Sequence, residues 1–126
     1  LRQADIALLP LNDTRFNRMK SDLKFLQCAA HGVAVLASPT VYAATVCEGE
    51  TGYLFTTPEE FSQKLEILVT DGERRRRMTE QAYNWVRERR MLWQQYQVRY
   101  RWYMEMAARR AELMQALRQR LPDLFG

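Results

Sequence analysis

Apolar residues in this chain follow two rhythms: short unbroken runs near the start, and recurrences every three or four residues toward the end. Residues 4–11 (Ala-Asp-Ile-Ala-Leu-Leu-Pro-Leu) read, after Asp5, as an apolar run without alternation that is ended by Pro10. That suits a parallel strand covered on both faces. Residues 12–19 read as a polar loop containing Asp13, Asn17 and two arginines. Ser21 is the expected N-cap of the next helix, with Asp22 in its first turn, and Gly32 stops that helix directly after His31. Residues 33–37 (Val-Ala-Val-Leu-Ala) form the next strand, broken by Ser38-Pro39-Thr40. A helix closed by glycine, an apolar strand and a polar turn make half of a βαβ unit. Residues 42–47 suit a short helix or turn, and the cluster Glu48-Gly49-Glu50-Thr51-Gly52 leads into a brief strand at 53–55. Thr57-Pro58-Glu59-Glu60 marks a helix start, with Thr57 as N-cap, Pro58 in the first helical position and Glu60 completing a capping box. Phe61, Leu65 and Leu68 lie on one side of that helix, and Asp71-Gly72 ends it.

Residues 73–121 contain neither glycine nor proline, which predicts helix almost throughout, with one break near residues 90–92. Tyr96, Tyr100, Tyr103, Ala107, Met114 and Leu117 recur at spacings of a single helical face; Trp93 and Trp102 widen it, and Pro122 ends it. The predicted order is β–α–β–(short α)–β–α–α–long α. The fold class is therefore α/β: a partial parallel sheet of about three strands, joined by right-handed crossovers, with covering helices and a long C-terminal helical segment. The expected division is residues 1–72 for the sheet domain and 73–126 for the arginine-rich, aromatic helical segment. The chain opens at Leu1 on a strand-like run, so it is read as a fragment whose longer parent supplies earlier strands of the same sheet.

Composition narrows the class. At 126 residues, 47% hydrophobic and 27% charged, the chain suits a globular domain rather than a disordered one. It has no signal-peptide pattern and no apolar run near the ~20 residues of a membrane span, so secreted and transmembrane readings are set aside. Cys28 and Cys47 lack metal-ligand spacing, and the chain has a single histidine, which argues against a zinc site. Reduced thiols and a cytoplasmic location are expected, with peripheral attachment at the inner membrane face as a variant. Residues 1–72 carry six Lys/Arg against nine Asp/Glu (net −3), while residues 73–126 carry thirteen Arg against six acids (net +7). The favoured reading of those arginines is a solvated face over a core-facing aromatic stripe. The alternative is a surface for RNA or anionic lipid, built from the arginines of residues 74–77 and 87–90 with the interleaved Trp and Tyr. Beyond about residue 106 the segment is amphipathic and suited to self-association.

Lys20, Lys24, Gln27 and His31 fall within an arc of roughly 60° on a helix otherwise apolar from Leu23 to Ala30. This stripe is either the one wet side of a buried helix or the lining of a site. Ligands of open parallel sheets bind outside the carboxyl ends of the strands, where helix N-termini point. Free N–H groups at a helix start, beside Lys20 and Ser21, suit a phosphate or diphosphate. Gln27, two turns further on, suits a hydroxyl-rich group. Phosphate above and polyol alongside describe a nucleotide sugar. Cys28 is expected in the core and His31 at the favourable end of the helix dipole.

Four separated segments then carry a resemblance. They are Ala4-Asp5-Ile6-Ala7-Leu8-Leu9-Pro10-Leu11; Phe16-Asn17-x-x-Lys20-Ser21-Asp22-Leu23-Lys24-Phe25-Leu26; Ala29-Ala30-x-Gly32-Val33-x-Val35-x-Ala37-Ser38; and Gly49-x-Thr51-Gly52-Tyr53-Leu54. In this order and spacing, over roughly residues 1–100, the chain resembles the C-terminal, Rossmann-like donor-binding domain of GT-B glycosyltransferases, of the retaining group 1 / family 4 type. The resemblance implies transfer of a sugar from a nucleotide-diphosphate donor to a glycan, lipid-linked sugar or protein, with no metal or other cofactor. It places Lys20 and Ser21 by the diphosphate, Gln27 where the family usually has a ribose-binding glutamate, and Ser38 and Thr40 near the donor. Asn17 and Lys24 complete the implied donor-binding set. No catalytic residue lies in this piece, which is expected to be inactive without the preceding part of the chain. Three departures stand out: glutamine for glutamate at Gln27, Met19 where many members have an earlier glutamate, and Tyr-Ala-Ala-Thr after Val41 where a proline and an acid are common. These departures support an alternative, a non-catalytic GT-B-like module acting in assembly or scaffolding through its helical tail.

Overall fold

The computed structural model describes residues 3–124. Three strands, β1 (Ile6–Leu9), β2 (Ala34–Ala37) and β3 (Tyr53–Leu54), form one parallel sheet in the order β1-β2-β3. Ile6 pairs with Ala34 and Leu9 with Ala37; Leu36 pairs with Tyr53 and Ala37 with Leu54. The α/β architecture with a three-stranded parallel sheet is thus the one expected.

β2 is the central strand and is buried at every position, which its unalternating small apolar sequence permits. Val35 and Ala37 face a cluster containing Phe25, Cys28 and Ala29 of α2 (Leu23–Ala30) and Ala82 and Val86 of α5 (Gly72–Arg89). Ala34 and Leu36 face the opposite cluster, with Tyr53, Leu68 of α4 (Pro58–Thr70) and Met78 of α5. Helices therefore cover both faces of the sheet. β1 departs from expectation: it is only half-buried, and Leu8 is exposed and belongs to neither apolar cluster. Among the described strands β1 is paired on one side only, with β2.

Other boundaries shift for local reasons. The polar loop contains a one-turn helix, α1 (Arg15–Arg18), because Thr14 Oγ1 accepts the Asn17 N–H at 3.2 Å. The N-cap of α2 is Asp22, not Ser21. α3 (Pro39–Tyr42) starts on the proline expected to be part of a turn, earlier than the helix or turn read at 42–47. Thr57 caps α4 as expected, by accepting the Glu60 N–H at 3.2 Å. The Glu60 carboxylate, however, reaches back to Thr56, whose N–H and hydroxyl both donate to it at 2.7 Å. The hydroxyl, and then the N–H, hold that carboxyl below the usual glutamate range.

Where residues 73–121 were expected to break, α5 ends at Arg89 and α6 (Leu92–Ala108) begins; α7 (Arg110–Arg120) and a 3₁₀ turn (Pro122–Leu124) follow. Two units result, one up to Arg89 and one from Arg90 onward. α5 belongs to the first, although the sequence division fell at 72/73, because Met78, Ala82 and Val86 are buried in its core. Asp71 Oδ1 accepts the Arg74 N–H at 2.9 Å and starts α5; Arg75 donates to the Leu68 carbonyl at 2.6 Å and finishes α4. Of the other arginines in that run, Arg74 lies over the Tyr53 ring, and Arg76 and Arg77 pair loosely with Glu73 or Glu80 at 3.8–3.9 Å.

The turn before β3 is fixed by Thr51, which is buried: its Oγ1 accepts the Cys47 N–H at 2.9 Å. Gly52 follows, and a Cβ there would stand 3.0 Å from Val46 Cγ1 and 3.2 Å from the Val35 carbonyl oxygen. The backbone of the central strand cannot retreat, so Gly52→Ala should cost about 1–3 kcal/mol. A urea midpoint lowered at constant m-value is the expected result; an unchanged midpoint would show that the turn yields freely.

Candidate functional site

All three strands point their carboxyl ends the same way, and a cleft of about 310 Å³ opens there. Pro10, Leu11, Asn12 and Asp13 line it after β1; Ser38, Pro39 and Thr40 after β2; Phe55 and Thr56 after β3. This is where open parallel sheets hold ligands, since chain directions diverge and loops splay apart. A second depression, lined by Gly32, Thr79, Glu80, Tyr83 and Asn84, lies at the opposite end of β2.

The cleft floor is stitched by two hydroxyls. Ser38, itself buried, accepts the Leu11 N–H on Oγ at 2.8 Å, and Thr40 Oγ1 donates to the Leu11 carbonyl at 3.1 Å. Together they satisfy both backbone groups of the residue that leaves β1, so the exits of β1 and β2 are held side by side. Asn17 donates from Nδ2 to the Asn12 carbonyl at 2.9 Å and so pins α1 to the cleft rim. Asp13 and Arg18 close the same loop with two contacts of 2.6 Å. That paired hydrogen bond lowers the Asp13 pKa and raises that of Arg18. The Asp13 carboxyl is depressed in the folded state, so this pairing is complete above the ordinary carboxylate pKa and is lost as pH falls through the lowered value.

Ser38 and Thr40 therefore line the cleft, and Asn17 reaches it through Asn12. Lys20, Ser21, Lys24 and Gln27 are exposed, and none of them borders the cleft. Lys20 Nζ sits 5.1 Å above the Phe16 ring, which is itself exposed. The α2 stripe is open to solvent, and so are Leu23 and Ala30 beside it; only Phe25, Cys28 and Ala29 of this helix are buried. The expectation that α2 is enclosed everywhere but at its polar stripe is thus not met, since Leu23 and Ala30 are exposed as well. Its buried side packs on α5 and the sheet, and burial raises the Cys28 thiol pKa.

Sequence reading placed no site residue after the third strand and so missed Phe55 and Thr56, whose only signal is position just beyond a strand end. Among the described residues no group of three or more His, Cys, Asp and Glu side chains is placed to hold a metal ion, and no helix is long and apolar enough to cross a membrane.

No curated protein is significantly similar to the chain. Among solved structures it is similar to the C-terminal domain of a glycosyl transferase group 1 family protein (LpcC) from Francisella tularensis, with a TM-score of 0.57 and 23% identity. The match covers 68% of this chain and 43% of that one, and it establishes the shared fold. A family model described as glycosyl transferase-like matches residues 1–102. A parallel sheet of this fold, with its cleft at the strand ends and a family match across both, leads to one assignment: the chain belongs to the glycosyl transferase-like family.

Proposed function

We propose that this chain is the donor-side part of a glycosyltransferase, holding a nucleotide-diphosphate sugar that is transferred to a glycan, lipid-linked sugar or protein. The observation that carries the reading is the cleft at the carboxyl ends of three parallel strands, with the α2 start on the loop leaving β1. In this reading the donor reaches from the cleft past its rim to the start of α2, whose first N–H groups meet the diphosphate, with Lys20 and Ser21 beside it. Lys24 and Gln27 follow along the exposed side of the same helix, and the nucleoside lies toward Gln27. Ser38, Thr40 and Asn17 act by shaping the cleft, since their side chains are bonded to Leu11 and Asn12. No metal is required, because lysine and helix N–H groups supply the countercharge. The preceding part of the parent chain completes the site, acts on the acceptor and makes transfer possible; this piece alone is inactive. A cytoplasmic setting suits soluble nucleotide sugars.

Titration of the longer protein containing this chain with nucleoside diphosphates tests the reading by calorimetry. Saturable binding is expected, and no heat at millimolar ligand would overturn it. Gln27→Glu restores a charged acceptor for a ribose diol, and charge-assisted bonds exceed neutral ones by about 1 kcal/mol. Nucleotide affinity should rise about fivefold; an unchanged affinity would place Gln27 away from the ribose.

A further inference from the structure

β3 lies at the rim of the sheet and pairs with β2 alone, yet the backbone on its other side is already taken up. Phe55 N–H donates to the Ala37 carbonyl of β2 at 2.9 Å. In a parallel ladder alternate residues turn their N–H and C=O groups to the same neighbour, so Gly52, Leu54 and Thr56 turn theirs away from β2. The Gly52 carbonyl accepts the Gly49 N–H at 2.9 Å, where the chain at residues 48 and 49 runs beside it. Leu54 N–H donates to Glu48 Oε2 at 2.7 Å, and the Leu54 carbonyl accepts from Lys64 Nζ. Thr56 N–H donates to Glu60 Oε2 at 2.7 Å. From the Gly52 carbonyl to the Thr56 N–H, carbonyls on this rim meet donors and N–H groups meet acceptors, as a further strand would provide.

The side chains that do this are themselves held. Glu60 and Lys64 lie one turn apart on α4 and so share the face that reaches the strand. Lys64 Nζ also pairs with Glu48 Oε1 at 2.9 Å, and the Lys64 side chain is only 23% exposed. A strand arriving here would have to break that pair and leave both charges against its own backbone, which is how charged side chains protect a sheet rim. The opposite rim differs. The Asp5 and Leu9 carbonyls accept from Ala34 and Ser38, so Ile6 and Leu8 turn their backbone groups away from β2. Among the described residues no side chain is bonded to those groups, so the closure belongs to β3 and is not general to the sheet.

We infer that Glu48, Lys64 and Glu60 stand in for a neighbouring strand and close β3 to strand addition by a second copy of the chain. Without them the exposed partner for Leu54 is the Leu54 region of another molecule, since the same unpaired donors and acceptors are presented by both. The device concerns assembly and stands apart from donor binding.

The test compares the longer protein containing this chain with its Glu48→Ala, Lys64→Ala double variant. In the wild type the amides of Leu54 and Thr56 should be protected from hydrogen exchange although no strand lies beyond them. In the dilute double variant the Leu54 amide should exchange at least about tenfold faster, while that of Phe55, bonded to β2, follows global stability. The freed Leu54 groups should raise the self-association constant at least about tenfold over the wild type in sedimentation velocity, and concentrating the variant should restore protection at Leu54. Lys64→Met opens only the carbonyl and should give a smaller rise in the same direction, which decides the matter if the double variant does not fold. Free exchange at Leu54 and Thr56 in the wild type, or folded variants no more associated than the wild type, would overturn the inference.

Discussion

Phe25→Ala is expected to lower the stability of the first unit by about 3–5 kcal/mol, a large share of the ~5–15 kcal/mol that a domain of this size holds in reserve. Phe25 is 0% exposed and sits where α2, α5 and the sheet meet. Its ring meets Trp85 edge to face, with centroids 5.9 Å apart and an interplanar angle of 65°. Removing it leaves a cavity that α2 cannot close, because Cys28 and Ala29 beside it are already in contact with the same cluster. The aromatic pair, about 0.5–1.5 kcal/mol beyond its buried area, is lost as well. Urea denaturation followed by far-UV circular dichroism measures the cost. Trp93→Ala is the contrast: Trp93 belongs to the second unit and is exposed, so the main transition should move by no more than about 0.5 kcal/mol. A small effect at Phe25 would mean that α2 is not the element holding this face of the sheet.

That contrast bears on how much of the molecule its sequence reveals. Strands β1, β2 and β3, the caps at Thr57 and Gly32, and the break after residue 89 were all legible, because each has a local cause: an unbroken apolar run, a capping side chain, a loss of helical continuity. What was not legible depends on distant partners. α2 reads as a helix apolar on most sides, yet Leu23 is exposed, since burial depends on which neighbours arrive rather than on the helix itself. The Ser38 hydroxyl reads as a ligand group near a strand end, but 27 residues separate it from the Leu11 N–H that occupies it. Gly49, Thr51 and Gly52, which carried part of the family resemblance, work as a turn: Thr51 holds Cys47, and Gly52 makes room for Val35 and Val46. A family motif can thus mark a shared fold without touching a ligand. The aromatic stripe of the tail was read as core-facing, and it is open to solvent in the described unit.

The same distinction between holding and contacting yields the second large effect, at the cleft floor. Ser38→Ala with Thr40→Val removes both side-chain partners of the Leu11 backbone at nearly constant volume. The Leu11 N–H, facing a buried side chain, then has no acceptor in place, at about 1–3 kcal/mol, and its carbonyl loses a donor worth about 1 kcal/mol. The combined cost should be about 2–4 kcal/mol, and it falls where β1 hands the chain to the loop bearing Asn12, Asp13 and α1. Hydrogen exchange should therefore accelerate at Leu11 and through the Asn12–Asn17 contact, while the amides of β2, bonded within the sheet, change only with global stability. In the longer protein, nucleoside-diphosphate affinity should fall with the loosened loop, because each hydroxyl is engaged with the Leu11 backbone and holds the loop in place. Ser38→Thr separates the two roles: it keeps an oxygen for the Leu11 N–H, so it should retain loop protection and affinity together. If affinity fell with the loop still protected, Ser38 would be contacting the donor directly.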